Sequence, residues 1–411
     1  MRLLVLSYAF PPSRHANAKR PHYLVQGFLD AGWEVDLFTL RIGMAPGTEE
    51  TVRHPGLRIL RCEDPIAGAV ERAAGRPKLQ RLLSLAAAGG LWPDGFVAWS
   101  LRAMRASRDK GRYDRVLAFI YPPSLLLCGL APGLVDSKWI FDYQESVTPQ
   151  RRLFPKRSLL HRALAPCLAR LERRTLHKAG RVVFTANTNR EAYVRAGLVP
   201  EAGAAHVPYF FDAVAFRSLP DLSGAAFEIA YFGTFDWTGA RSPEVFLRAL
   251  ARFLELRPEA RPATRFRFYG GWLPEHNRLI EELKLQDRVA IEPPVGYQRY
   301  IELVKQSPIL LLVVASAHNL FMPSKIVDYF GARRPIMAFV PRGSEMRRVL
   351  EQAGMAEFAS DELDVEGGVA ALERLWQRHL AGSLAAGGAK VDFWSSTVQI
   401  PRYLELASVS I

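Results

Sequence analysis

Apolar runs five to eight residues long, rich in Leu, Val, Ile and aromatic residues, recur along the chain, with helical spacing of apolar positions between them. In the first half these runs are RLLVLSY (2–8), WEVDLFTL (33–40), LRILRC (57–62), YDRVLAFI (113–120), KWIFDY (138–143) and RVVFTAN (181–187). The second half continues with FEIAYFG (227–233), RFRFYGG (265–271), RVAIEPP (288–294), ILLLVVA (309–315), PIMAFVP (335–341) and AEFAS (356–360). Each reads as a strand. Helices are expected to begin near Pro243, Pro274, Tyr297, Pro323 and Ser344. Strand–helix alternation of this kind predicts an α/β protein with parallel sheets covered on both faces.

The rhythm breaks between about Phe211 and Ala226 (FDAVAFRSLPDLSGAA), as a linker would. Two Rossmann-like domains are therefore expected. One is 1–211, with a C-terminal helix at about 392–411 packing back on it through Phe393, Trp394, Tyr403 and Leu404. The other is 212–391. Doubly wound sheets bind ligands beyond the carboxyl ends of their strands, so two of them facing each other would enclose a cleft.

Composition narrows the class. At 411 residues, 49% hydrophobic and 23% charged, the chain is a globular protein large enough for two cores. Its longest apolar run, Ile309 to Ala315, falls far short of the about 20 residues of a membrane span. The opening MRLLVLSYAFPP lacks a long apolar region and a small-residue cleavage site, so it reads as a first strand and not as a signal peptide. Cys62, Cys128 and Cys167 show no metal or disulfide spacing and fit a reducing cytosol.

Charge is distributed unevenly. Residues 1–215 hold 31 Lys+Arg against 18 Asp+Glu, which is the whole net charge of +13. Within that half, Arg151 to Arg181 has ten basic residues and a single acid, Glu172, with leucines at helical spacing and Pro166 interrupting them. This reads either as a basic amphipathic surface for an anionic inner leaflet, or as a solvated face over an ordinary core helix. No aromatic-interleaved basic strand or helix-turn-helix pattern accompanies it, so nucleic acid is not an expected partner.

Two stretches carry candidate chemistry. FMPSKIVDYF (321–330) follows an apolar strand and places Pro323, Ser324 and Lys325 at the start of a helix, with Asp328 three residues on. Proline suits a first helical turn, and exposed amides there attract anions. A diphosphate at the tip and a ribose against Asp328 would use every polar group in the stretch; an ordinary helix with a solvated Lys–Asp pair would also fit. FEIAYFGTFDWTGARSP places Gly233 and Thr234 at a strand end and Arg241 in the following loop. Glycine permits close approach to the backbone, and arginine offers a fork of donors to phosphate.

Together these residues resemble the GT-B-fold glycosyltransferases, specifically the family 4 group of retaining enzymes that use nucleotide-sugars. SYAFPPSRHANAKRPHYL is similar to the opening strand, acceptor loop and first helix of that family. HVPYFFDAVAF, with Asp212, is similar to its domain exit, and YFGTF through PSKIVDYFGARRPIMAFVPRGSE to its donor-binding domain. The resemblance implies that Arg241 and Lys325 neutralise the donor diphosphate and that Asp328 holds the ribose. It also implies that Gly233 lies near the phosphates, Tyr297 (segment 293–297) near the nucleobase, and Ser344 and Glu345 in a loop near the sugar or phosphates. The family's frequent pair of glutamates eight positions apart falls here on Leu320 and Asp328. Its glycine-rich N-terminal loop is here Ser13-Arg14-His15-Ala16-Asn17.

The chain contains no Asp-x-Asp triplet. Protein cations are therefore expected to take the place of a metal ion, with no cofactor beyond the nucleotide-sugar substrate. On the acceptor side, Arg14, His15, Asn17, Lys19 and Arg20 lie beyond the first strand, with His15 a candidate for proton transfer. Glu145 follows KWIFDY and is either a cleft residue or a surface acid. The expected activity is metal-independent, retaining transfer from a nucleotide-sugar to a glycan or lipid-linked acceptor by a cytoplasmic enzyme that meets the inner membrane peripherally. Two other readings stay open: a nucleotide-sugar-binding protein without turnover, and a nucleotide-sugar epimerase of the same fold.

Overall fold

The computed structural model describes residues 1–13, 15–41, 52–66, 69, 92–108, 113–149, 159–220, 226–235, 242–316, 320–384 and 390–409. The chain divides into two compact units, one made of Met1–Pro208 with Ile400–Ile411, the other of Tyr209–Gln399.

The first unit is built on a parallel sheet of seven strands: β1 (Arg2–Leu6), β2 (Glu34–Leu40), β3 (Leu57–Cys62), β4 (Arg115–Phe119), β5 (Trp139–Tyr143), β6 (Arg181–Phe184) and β7 (Ala204–His206). Their order is β3-β2-β1-β4-β5-β6-β7. The order reverses between β1 and β4, which makes the carboxyl ends of those two strands the topological switch point. Leu4, Leu6, Trp99, Val116, Trp139, Phe141 and Phe184 form the centre of its core.

The second unit has six parallel strands, β8 (Phe227–Thr234), β9 (Thr264–Gly271), β10 (Val289–Glu292), β11 (Ile309–Val313), β12 (Ile336–Phe339) and β13 (Ala359–Ser360), in the order β10-β9-β8-β11-β12-β13. Its switch point lies between β8 and β11. Because β11 is central and covered on both faces, it is continuously apolar, with Ile309 to Leu312 fully buried. Its Leu311 shares a core with Phe227, Ile229, Phe246, Phe266, Met337 and Leu372, each burial contributing about 1.5–3 kcal/mol.

Twelve of these strands coincide with the apolar runs of the sequence. The exception is β7, whose three residues Ala204–His206 include no β-branched side chain and pair with β6 alone at the sheet edge. The five expected helices begin at Glu244, Glu275, Tyr297, Lys325 and Glu345.

The structure refines three local expectations. The linker-like stretch contains a helix, Ala213–Ser218, because the Asp212 carboxylate caps it by accepting from the Val214 and Ala215 amides, both at 3.0 Å. Residues 221–225 of that stretch lie outside the described residues. The basic helix is interrupted at Pro166 as expected: Leu159–Ala163 ends before Leu164, and Ala165–Leu176 opens with Pro166 in its first turn, where no amide is needed. Pro323 lies just before the helix Lys325–Ala332, whose cap is Ser324, and the Pro323 carbonyl accepts from the Ile326 amide at 3.2 Å.

Candidate active site

The donor-side residues of the second unit meet at its switch point. Lys325 opens the helix that follows β11 and reaches the carboxyl end of β8. There its ammonium donates to the Phe232 carbonyl at 2.7 Å and lies 4.0 Å from the centre of the Tyr231 ring. Two glycines make this seat. Gly233 adopts φ +139°, a backbone region that disfavours side chains, and a Cβ there would stand 2.8 Å from the Lys325 Nζ. Gly270, paired with Gly233 in the sheet, has φ +142°, and a Cβ on it would strike the Gly233 carbonyl. Thr234, exposed, ends the strand.

Asp328 is not on a solvated face. It is buried, like every residue from Ile326 to Ala332, and accepts from the Tyr300 hydroxyl at 3.1 Å. Burial, with the Asp328 charge beside it, pushes the Tyr300 hydroxyl well above the usual phenol range, so Tyr300 remains a donor. The Tyr300 ring meets Phe232 edge-to-face at 5.3 Å, and Phe232 stacks on Tyr269 at 4.8 Å. Lys325 and Asp328 are therefore both referred to the end of β8, one directly and the other through Tyr300. Tyr231, Tyr269 and Tyr300 were not anticipated from the sequence, where aromatics in strand and helix runs read as core.

The remaining donor-side residues are more dispersed. Tyr297 is exposed at the first position of the helix Tyr297–Gln306, its ring 6.0 Å from Tyr300. Ser344 and Glu345 form a helix start and not an open loop. The Ser344 hydroxyl accepts from the Arg347 amide at 3.2 Å, and the buried Glu345 pairs with Arg348 at 3.2 Å. Arg241 lies outside the described residues. Among the described residues, no group of three or more His, Cys, Asp or Glu is placed to hold a metal ion.

In the first unit the loop after β1 turns through Ala16–Ala18. His15 caps that turn, its Nδ1 accepting from the Asn17 amide at 3.2 Å. Its ring stacks on Tyr121, beyond β4, at 4.8 Å. Glu145, exposed after β5, is close enough for its charge to raise the Tyr121 hydroxyl, an effect second to burial. Tyr121 thus gathers His15 and Glu145 at the switch point. Asn17 is buried, its carbonyl accepting from Gln144 at 3.4 Å, and Lys19 is half-buried at the head of the helix Lys19–Asp30. Arg14 lies outside the described residues.

Arg20 has a different place. It is 2% exposed and donates to both oxygens of Asp142, at 2.9 and 3.0 Å, and to the carbonyls of Val207 and Pro208. Its guanidinium also lies 5.5 Å from the centre of the Tyr403 ring. It holds the interior of the unit together, tying the first helix to β5, to the chain's exit at Pro208 and to its return through the last helix.

Residues 18–209 match the model of the glycosyl transferase 4-like domain, which accounts for nearly all of the first unit's main segment. The first unit carries a glycosyl transferase 4-like domain, and the chain as a whole has the GT-B fold. Solved structures resemble it over its whole length at low identity. Sucrose-phosphate synthase from Thermosynechococcus elongatus is 15% identical, with 99% of this chain and 96% of that one covered and a TM-score of 0.59. A trehalose-6-phosphate structure from E. coli bound with UDP-2-fluoro glucose is 13% identical, with 100% and 99% covered and a TM-score of 0.61. WaaG, a glycosyltransferase involved in lipopolysaccharide biosynthesis, is 11% identical, with 99% of each chain covered and a TM-score of 0.62. No curated protein matches the sequence. Among its described residues the chain has no helix long and apolar enough to cross a membrane.

Proposed function

We propose that this glycosyltransferase moves a sugar from a nucleotide-sugar held by the unit Tyr209–Gln399 to a hydroxyl of a glycan or lipid-linked acceptor, with retention of configuration and without a metal ion. The observation that carries this reading is the seat of Lys325, a compact cation placed beside a side-chain-free strand end at the switch point. As the bond between the anomeric carbon and the diphosphate breaks, negative charge grows on the leaving group. Lys325, the amides at the mouth of its helix and Arg241 oppose that charge, while the sugar becomes oxocarbenium-like. The acceptor oxygen forms the new bond to the anomeric carbon, and its proton goes to the departing diphosphate. Asp328, oriented by Tyr300, takes a ribose hydroxyl, and Tyr297 lies against the base. The mouth of the helix Glu345–Gln352 faces the sugar or phosphates through the backbone of Ser344 and Glu345. The UDP-sugar analogue bound in the E. coli structure of the same fold supports a nucleotide-sugar as donor.

Turnover is expected to survive EDTA at full rate, measured as nucleoside diphosphate released from the donor. Loss in EDTA with rescue by magnesium would contradict the metal-free mechanism.

We also propose that the first unit meets an anionic membrane surface. Arg162, Arg170, Arg173, Arg174 and Lys178 are exposed, and among the described residues no carboxylate pairs with them. The one acid of this segment, Glu172, is buried beneath, accepting from Tyr143 at 2.8 Å and Tyr193 at 2.7 Å, so it does not dilute the exposed charge. Each basic residue near such a surface contributes about 1 kcal/mol. The protein should co-sediment with phosphatidylglycerol vesicles and not with phosphatidylcholine vesicles. Reversing Arg170, Arg173 and Arg174 to Glu should abolish the binding; unchanged binding would exclude this face.

A further inference from the structure

Tyr8, Phe96 and Tyr121 form a connected aromatic surface at the carboxyl ends of β1 and β4. Tyr8 lies 4.8 Å from Phe96 and 6.3 Å from Tyr121, and Phe96 lies 5.8 Å from Tyr121. All three rings are half-buried, unlike the buried Trp99 beneath Tyr8. His15, stacked on Tyr121, adds one defined polar atom. Its Nδ1 is occupied by the Asn17 amide, and although the residue is exposed, partial desolvation of the ring lowers its pKa from the ordinary value. The neutral ring therefore carries its proton on Nε2 and presents a donor there, not a base. Three carboxylates lie beside the rings, Asp64 and Asp94 buried and Glu145 exposed. Asp64 accepts from the Tyr8 hydroxyl at 3.3 Å, and Asp94 and Glu145 lie close enough to raise the Tyr121 hydroxyl, after burial.

We infer that this surface is the acceptor platform of the glycosyltransferase and that it takes an uncharged sugar ring. The rings stand at 50–75° to one another, so the apolar face of a pyranose stacks on one of them and meets the edges of the others; the His15 Nε2–H donates to one of its oxygens, and the neighbouring carboxylates repel a phosphorylated sugar. This assignment rests on the proposed transfer reaction and names the acceptor class for it.

The test is binding of neutral methyl glycosides and of glucose 6-phosphate, followed by saturation-transfer NMR on the full chain. At least one neutral glycoside should bind, and more tightly than the phosphorylated sugar. Its affinity should fall about tenfold in Phe96→Ala and in Tyr121→Ala, the loss expected when a stacked ring contact disappears. Phe96→Leu keeps the apolar volume and removes only the π-face, so it should show a similar loss if the alanine variant does not fold. Repeating the titration with the same sugar on a glycolipid in phosphatidylcholine vesicles separates a free glycan acceptor, bound in both forms, from a lipid-linked one, bound only on vesicles. Nucleoside diphosphate binding, reported by the other unit, should be unchanged in all variants; if it is absent from the unaltered protein, the donor reading fails instead. The platform is overturned by full glycoside affinity in folded Phe96 and Tyr121 variants, by no neutral glycoside binding in either form, or by tighter binding of the phosphorylated sugar.

Discussion

Lys325→Ala is expected to lower donor turnover by about 10²–10³-fold, the range seen when one preorganised donor to a developing anion is removed. The fold should tolerate the change. The Phe232 carbonyl loses one hydrogen-bond partner, a cost of about 1 kcal/mol at a part-buried position. Lys325→Arg is not expected to restore activity. The seat is bounded by the Tyr231 ring at 4.0 Å and the Gly233 backbone, room for a compact ammonium but not for a planar guanidinium. Steady-state kinetics on both variants, with thermal unfolding as the control, checks this. Full turnover in Lys325→Ala would remove the cation from the mechanism.

Arg20→Ala is expected to cost about 3–5 kcal/mol of stability, because it leaves the fully buried Asp142 carboxylate without its partner. Burial pushes that carboxyl up from its ordinary value while the guanidinium holds it down, so the ionised form depends on Arg20. Two backbone carbonyls, of Val207 and Pro208, lose donors in the same step. Pairing Arg20→Met with Asp142→Leu should recover most of the loss, since neither charge is then stranded. Urea unfolding of the single and double variants measures both effects. Unchanged stability in Arg20→Ala, with weaker acceptor binding, would return Arg20 to the ligand-facing role expected from its position in the sequence.

Arg20 also shows where reading the sequence stops. A cation in the run RHANAKR looks like a surface residue, and its partner lies 122 positions away on β5. Glu172 is a similar case: a lone acid in a basic run reads as exposed, yet Tyr143 and Tyr193 hold it in the interior. Both are long-range pairings, invisible to spacing. Strands with continuous apolar runs, such as Ile309–Val313, were legible because burial on both faces dictates their composition. The three-residue β7 was not, having too few side chains to carry a pattern. On the donor side Gly233, Lys325 and Asp328 stood out as glycine at a strand end and charges at a helix start. Their aromatic supports, Tyr231 and Tyr300, did not, because a tyrosine in an apolar run signals packing before it signals a hydrogen bond.

The most direct test of the account is calorimetric titration of the full chain with a nucleoside, its monophosphate and its diphosphate, before and after Lys325→Ala. The unaltered protein is expected to bind the diphosphate most tightly, and Lys325→Ala to remove most of that increment while leaving nucleoside affinity in place. A variant that keeps the whole preference for the diphosphate would contradict that expectation.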